Sequence, residues 1–189
     1  MTNDRTYPDL RSLLEARLVR AEHAETAALM ERLRPARERG HLTYDEFFAI
    51  CCWKEPRQRM RRHWQRNGEP LDEPPIVQLT HRALATSDER VRIETLLSLH
   101  GVGIPVASAI LTILEPERYG VIDIRAWQVL HHYSAVSTNP DGRGFSIDEW
   151  LTYIGVLRAW ADRLAVSARR IEHTLYLYHW ESKLTKITW

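Results

Sequence analysis

The segment from Leu96 to Tyr133, LLSLHGVGIPVASAILTILEPERYGVIDIRAWQVLHHY, carries the residues of this 189-residue chain best spaced for chemistry. Gly101-Val102-Gly103 is a tight turn between two helical patterns. Its glycines leave backbone N–H groups unobstructed at the start of the next helix. Orphan N–H donors and the helix dipole both favour an anion there, so the turn suits a phosphate. Such a contact uses only backbone and is indifferent to base sequence. Further on, Asp123 opens another helix. Capping a helix is an ordinary task for aspartate. A carboxylate held ionised at a helix start can also stabilise positive charge in a transition state or activate water. The two roles are compatible.

Other side chains are less specific. Lys54, Arg57, Arg59, Arg61, Arg62, His63 and Arg66 crowd into thirteen residues. Such a cluster is either a phosphate-facing patch or a solvated helix face. Trp53 and Lys54 stand just before it. Trp53 either stacks on a base or packs beside Phe47 and Ile50, while Lys54 and Arg57 are contacts for phosphate or base. Trp127 and His131 follow Asp123 by one and two helical turns, on its side. Trp127 fits a core as well as a pocket. His131 and His132 lack partners at metal-ligand spacing, so no catalytic metal is expected. Cys51 and Cys52 are adjacent and read as small buried hydrophobes, since two thiols cannot hold an iron–sulfur cluster.

The elements that position these residues read as helices throughout. Leu10, Leu13, Leu14 and Leu18, continued by Ala21, Ala24, Ala27 and Ala28, predict one long helix opened by Pro8-Asp9 and broken near Pro35, with Gly40 closing the region. Thr43 and Glu46 form a capping box for a helix that buries Phe47, Phe48, Ile50 and Cys51. Pro56 interrupts it, and the basic stretch makes a further helix ended by Asn67-Gly68. Residues 67–76, rich in proline and acids, are the best candidate for a boundary between lobes. Helices are then expected over Ile76–Ala85, from Asp88 to Leu99 with Ser87 as cap, and from Pro105 to Leu114. Asp123 starts one that reaches Tyr133. Ser134–Gly144 is a loop, Ser146 and Glu149 form a second capping box, and a last helix spans Ala165–Lys183, with Tyr176, Tyr178 and Trp180 packing onto the body.

Bulk properties fit a soluble globular protein: 44% apolar, 27% charged, net charge +1. Overall charge therefore does not announce nucleic-acid binding. The start MTNDRTYPDL has no hydrophobic stretch of the secretory kind, and no apolar run is long enough for a membrane span. A cytoplasmic protein is the default expectation.

Residues 88–114 and Asp123 together resemble the helix-hairpin-helix DNA glycosylase superfamily, which includes endonuclease III, the adenine glycosylase of mismatch repair and the alkyladenine enzymes. That family shows a Leu-Pro-Gly-Val-Gly hairpin, a helix of small residues, then Val-Asp opening another helix. Leu99-His100-Gly101-Val102-Gly103 is similar to the hairpin, Ala107, Ser108 and Ala109 to the small residues, and Ile122-Asp123 to the Val-Asp. The resemblance covers roughly forty residues. It implies an all-α, two-lobed glycosylase fold over residues 1–189, a monomer, and DNA as partner. It assigns Asp123 as the catalytic carboxylate and Gly101, Val102, Gly103 and Ile104 as backbone contacts to DNA, with Arg57 and Arg61 as further phosphate contacts. Trp53, Lys54, Trp127 and His131 are base-pocket candidates. It also allows a monovalent cation at the hairpin carbonyls; no other cofactor is implied.

The departures are informative. His100 replaces the hairpin proline. Pro105 stands where bifunctional members carry a Schiff-base lysine, and the cluster cysteines are missing. The resemblance thus implies a monofunctional enzyme that leaves an abasic site, serving DNA repair or defence against phage carrying modified bases. Two alternatives stand beside it: a non-catalytic hairpin module that only binds DNA, and a glycosylase/lyase using Lys54. Borohydride reduction over abasic DNA separates the last, and the expected result is no covalent protein–DNA adduct. A trapped adduct lost in Lys54→Ala would assign the lyase instead.

Overall fold

The computed structural model describes residues 7–55, 65–66 and 69–182. Its helices are α1 (Leu10–Arg17), α2 (Ala24–Arg32), α3 (Arg34–Arg39), α4 (Tyr44–Lys54), α5 (Glu73–Ala85), α6 (Glu89–Leu97), α7 (Ile104–Leu114), α8 (Ile124–His132), α9 (Ile147–Leu164) and α10 (Ala168–Glu181). The only sheet among the described residues is a two-residue antiparallel ribbon, β1 (Gln65–Arg66) with β2 (Glu69–Pro70). The architecture is all-α. No helix of the described residues is long and apolar enough to cross a membrane.

The chain forms two compact units. One holds residues 23–116 and the other holds 1–22 with 117–189. The segment 67–76 therefore does not divide them. It lies inside the first unit, between α4 and α5, which are joined directly. Tyr44 N–H donates to the Glu73 carboxylate at 3.0 Å, and Leu42 N–H donates to Thr80 Oγ1 at 3.0 Å.

In the unit of residues 23–116, α7 is the centre. Every residue from Val106 to Leu114 is buried, and α2, α3, α4 and α6 pack around it. Ser108 and Thr112 reach that interior because their hydroxyls donate to backbone carbonyls of the same helix, Pro105 and Ser108. Hydroxyls paired this way avoid the cost of an unsatisfied buried donor. Arg92 on α6 is also buried. Its guanidinium bonds the Thr86 carbonyl and pairs with Glu89 and Glu115, each at 3.5 Å.

In the other unit, α10 is the centre, packed by α1, α8 and α9. Residues 18–23 are not helical, so the long helix expected from Leu10 to Ala28 is two helices. The reason is non-local. Val19 N–H donates to Thr174 Oγ1 at 3.1 Å, and the Val19 carbonyl accepts both Nε and Nη2 of Arg170. These bonds compensate backbone groups that a continuous helix would have used internally.

Helix ends follow local chemistry. Thr43 with Glu46, and Ser146 with Glu149, make the expected capping boxes. Gly40 closes α3 in the left-handed region at φ 77°. Three boundaries differ from expectation. Asp88, not Ser87, caps α6, because its carboxylate accepts both Arg90 and Val91 N–H. The first turn of α5 takes in Pro74 and Pro75, which are tolerated where no intrahelical donor is needed. Ala165 ends α9 in the left-handed region, so α10 starts only after Ser167. The helix expected over residues 57–66 lies mostly outside the described residues; its last two, Gln65 and Arg66, pair with Pro70 and Glu69 in the ribbon.

Gly120 and Gly155 make opposite predictions. A Cβ at Gly120 would lie 2.6 Å from both Glu172 Cβ and Leu157 Cδ1, too close without moving α9 or α10. Gly120→Ala is expected to lower unfolding free energy by about 1–3 kcal/mol. Gly155 lies in exposed mid-α9 with open space around it, so Gly155→Ala is expected to add roughly 0.5–1 kcal/mol. Urea titration of the two variants checks both signs.

Candidate active site

The residues singled out by sequence fall in both units. Trp53, Lys54 and the Gly101–Ile104 turn belong to residues 23–116, while Asp123, Trp127 and His131 belong to the other unit. Arg57 and Arg61, with Arg59, Arg62 and His63, lie outside the described residues.

The turn is built to present backbone. Gly101 adopts φ 73°, which disfavours any other residue. Val102 and Ile104 bury their side chains, at 8% and 9% exposure, while Gly101 and Gly103 remain exposed. Gly103 is the N-cap of α7 and supplies no side-chain cap, and Pro105 in the first turn has no N–H. Gly103 differs from Gly101 in one respect. Its backbone is ordinary extended, φ −98° and ψ 173°, and an added Cβ would meet only Pro105 Cδ at 3.9 Å. Among the described residues nothing demands glycine there.

Trp53 is half-buried at the end of α4, with Nε1 donating to Thr26 Oγ1 on α2 at 3.1 Å. That bond fixes the indole against its own unit. Lys54 beside it is also half-buried. Cys51 is fully buried, and burial pushes its thiol well above the usual range, which makes it inert. Among the described residues no group of three or more His, Cys, Asp or Glu is placed to hold a metal.

Asp123 is the N-cap of α8, with its side chain 16% exposed. Its Oδ1 accepts the Arg125 N–H at 2.9 Å and faces the Arg125 guanidinium at 3.6 Å. Two residues earlier, the Val121 carbonyl accepts the buried Tyr153 hydroxyl at 3.0 Å, which holds the chain leading into the helix. A capping role and a partly exposed carboxylate therefore occur in the same residue.

Trp127 is wholly buried. Its Nε1 donates to the Asn139 carbonyl at 2.8 Å, and Phe145 and Tyr153 pack on its ring. It anchors the 134–144 loop and leaves no face for a base, which removes it from the pocket candidates. His131 is half-buried, two turns from Asp123.

The side chains that do gather near Asp123 come from α10, and sequence reading assigned them to packing. Tyr178 is buried as expected, but Trp180 is 60% exposed and Tyr176 half-buried. The Arg125 guanidinium lies 4.3 Å from the Trp180 ring centroid and 5.7 Å from that of Tyr176. The i, i+4 spacing of the two aromatics was the available signal. Below them, His179 Nε2 and Gln128 Oε1 are 3.0 Å apart, and Gln128 Nε2 donates to the Asp141 carbonyl.

The chain matches no family model, no curated protein and no solved structure.

Burial pushes the His179 imidazole below its usual value of 6.5; Arg125 adds to the shift and Asp123 opposes it. The folded state thus binds that proton more weakly than the unfolded chain. The linked stability is complete above the unfolded value and is lost as pH falls from there toward the lowered folded value. Between about pH 7.5 and about pH 5.5, the urea midpoint of the wild type is expected to drop more than that of His179→Gln. Parallel curves for the two proteins would refute the assignment.

Proposed function

We propose that this chain is a monofunctional DNA N-glycosylase, active as a monomer without a metal cofactor. It displaces a damaged or modified base from the duplex stack and hydrolyses the bond between that base and its sugar. The observation that carries the reading is Asp123: a carboxylate oriented by Arg125 N–H at 2.9 Å and still partly exposed, at the start of the second helix after the Gly-Val-Gly turn. The departing base takes the electron pair of the C1′–N bond, and positive charge develops on the sugar. Asp123 stabilises that charge and accepts a proton from the water that adds at C1′. The product is an abasic site.

The turn supplies the grip on DNA in this reading. A glycine at position 103 that no contact among the described residues requires is useful where something outside must approach the backbone closely. Pro105 offers no primary amine, so release of the base is not followed by strand cleavage through that position. Repair of damaged bases and removal of bulky bases from phage DNA both use this chemistry. An abasic site alone blocks replication, so the role against phage DNA is served without lyase activity.

The decisive experiment is a panel of oligonucleotides carrying oxidised, alkylated, deaminated and mispaired bases, with phage DNA of hypermodified cytosine included. Hot alkali converts each abasic product into a strand break. At least one substrate is expected to yield breaks, and Asp123→Asn to reduce base release by roughly a hundredfold to ten-thousandfold while DNA affinity is kept or improved. If no substrate yields an abasic site, the chain is a binding module that uses the turn alone.

A further inference from the structure

We propose that Trp180 and Arg125 form a nucleotide-holding site beside Asp123, in which the indole stacks on an unstacked base and Arg125 takes the phosphate attached to it. The inference rests on the reading of the chain as a protein that acts on DNA.

Among the described residues, Leu177 at 36% and Trp180 at 60% are the exposed large hydrophobic side chains. Trp180 is exposed although Arg125 already covers one of its faces at 4.3 Å. Tyr176 braces it edge-on, with ring centroids 6.4 Å apart at 73°. The ring is therefore held in place before any ligand arrives, which lowers the entropy cost of stacking. The His179–Gln128 contact ties α10 to α8 one residue away from the indole.

Arg125 is shared. Its guanidinium lies over two aromatic rings and 3.6 Å from Asp123 Oδ1. That geometry leaves a planar cation oriented by rings and a carboxylate, a form suited to bidentate capture of phosphate oxygens. A flat apolar surface with a guanidinium a few ångströms away matches a nucleotide, which carries a base and an anion at that separation. A cationic ligand fits poorly, because the Arg125 guanidinium beside the ring would repel it. When a phosphate draws Arg125 toward itself, the Asp123 carboxylate loses a countercharge. It is then better able to stabilise positive charge on a sugar.

The test uses two fluorescein-labelled duplexes that differ at one bulged position: an unpaired adenine in one, a tetrahydrofuran residue without a base in the other. The wild type is expected to prefer the base-bearing duplex. Trp180→Ala should remove that preference, a loss of roughly tenfold or more, and Trp180→Phe should keep most of it. Arg125→Gln should weaken both duplexes and reduce the slope of log affinity against log salt by about one. Circular dichroism checks that each variant is folded. No preference in the wild type, or a preference unchanged in Trp180→Ala, overturns the site. Bases released from the substrate panel at an unchanged rate by Trp180→Ala would also overturn it while leaving the glycosylase reading intact. A preference lost with Trp180, from a protein that releases no base, would uphold the nucleotide site and end the glycosylase reading.

Discussion

One buried guanidinium closes the unit that carries Asp123. Arg169 on α10 is 8% exposed and sits between two carboxylates. It bonds Glu22 bidentately, at 2.7 and 3.0 Å, and also bonds Glu172 one turn further along its own helix. Burial alone would lower its pKa, but Glu172 and Glu22 outweigh that and hold it above the usual value. His173 Nδ1 adds a contact to Glu22 at 3.4 Å. Glu22 belongs to the N-terminal stretch, so this network joins two pieces of chain far apart in sequence. Losing the guanidinium would leave the buried Glu172 carboxylate uncompensated, at a cost of about 3–5 kcal/mol. Gly120 belongs to the same arrangement, because α9 and α10 approach so closely there that Leu157 and Glu172 leave no room for a Cβ.

What the sequence made legible was local. Thr43 with Glu46, Ser146 with Glu149, Gly40, Pro105 and Asp123 each act within one helical turn, and each marks its helix end in the structure. What it hid was distant. The apolar spacing from Leu10 to Ala28 continues through a segment whose backbone is claimed by Thr174 and Arg170, some 150 residues later. Nothing in the spacing around Arg92 marks it as buried, because two of its partners, the Thr86 carbonyl and Glu115, lie on other elements. The division of the chain could not be found from composition, because the proline-rich stretch after α4 connects helices that pack on each other.

The candidate site divides along the same line. Asp123 was legible because a capping aspartate after a Gly-Val-Gly turn is a pattern in one dimension. Arg125 with Tyr176 and Trp180 was not, because three aromatics within five residues of one helix face different ways. Tyr178 points inward and meets Tyr7 and Tyr133, while Trp180 points to solvent. Periodicity fixes which residues share a face, but not which face a neighbouring helix will cover.

The interleaving of the two units has a consequence for synthesis. A ribosome delivers the stretch from His23 to Pro116 as one uninterrupted block, complete with its central helix α7 and the helices α2, α3, α4 and α6 that pack on it. That half can assemble while the chain is still being made. The leading residues cannot. Leu10, Leu13 and Leu14, buried in the finished protein, are made well before α10, the helix α1 packs on, and wait for it. During that interval three leucines stand without the helix that covers them, and they are open to misassociation until α10 has been made.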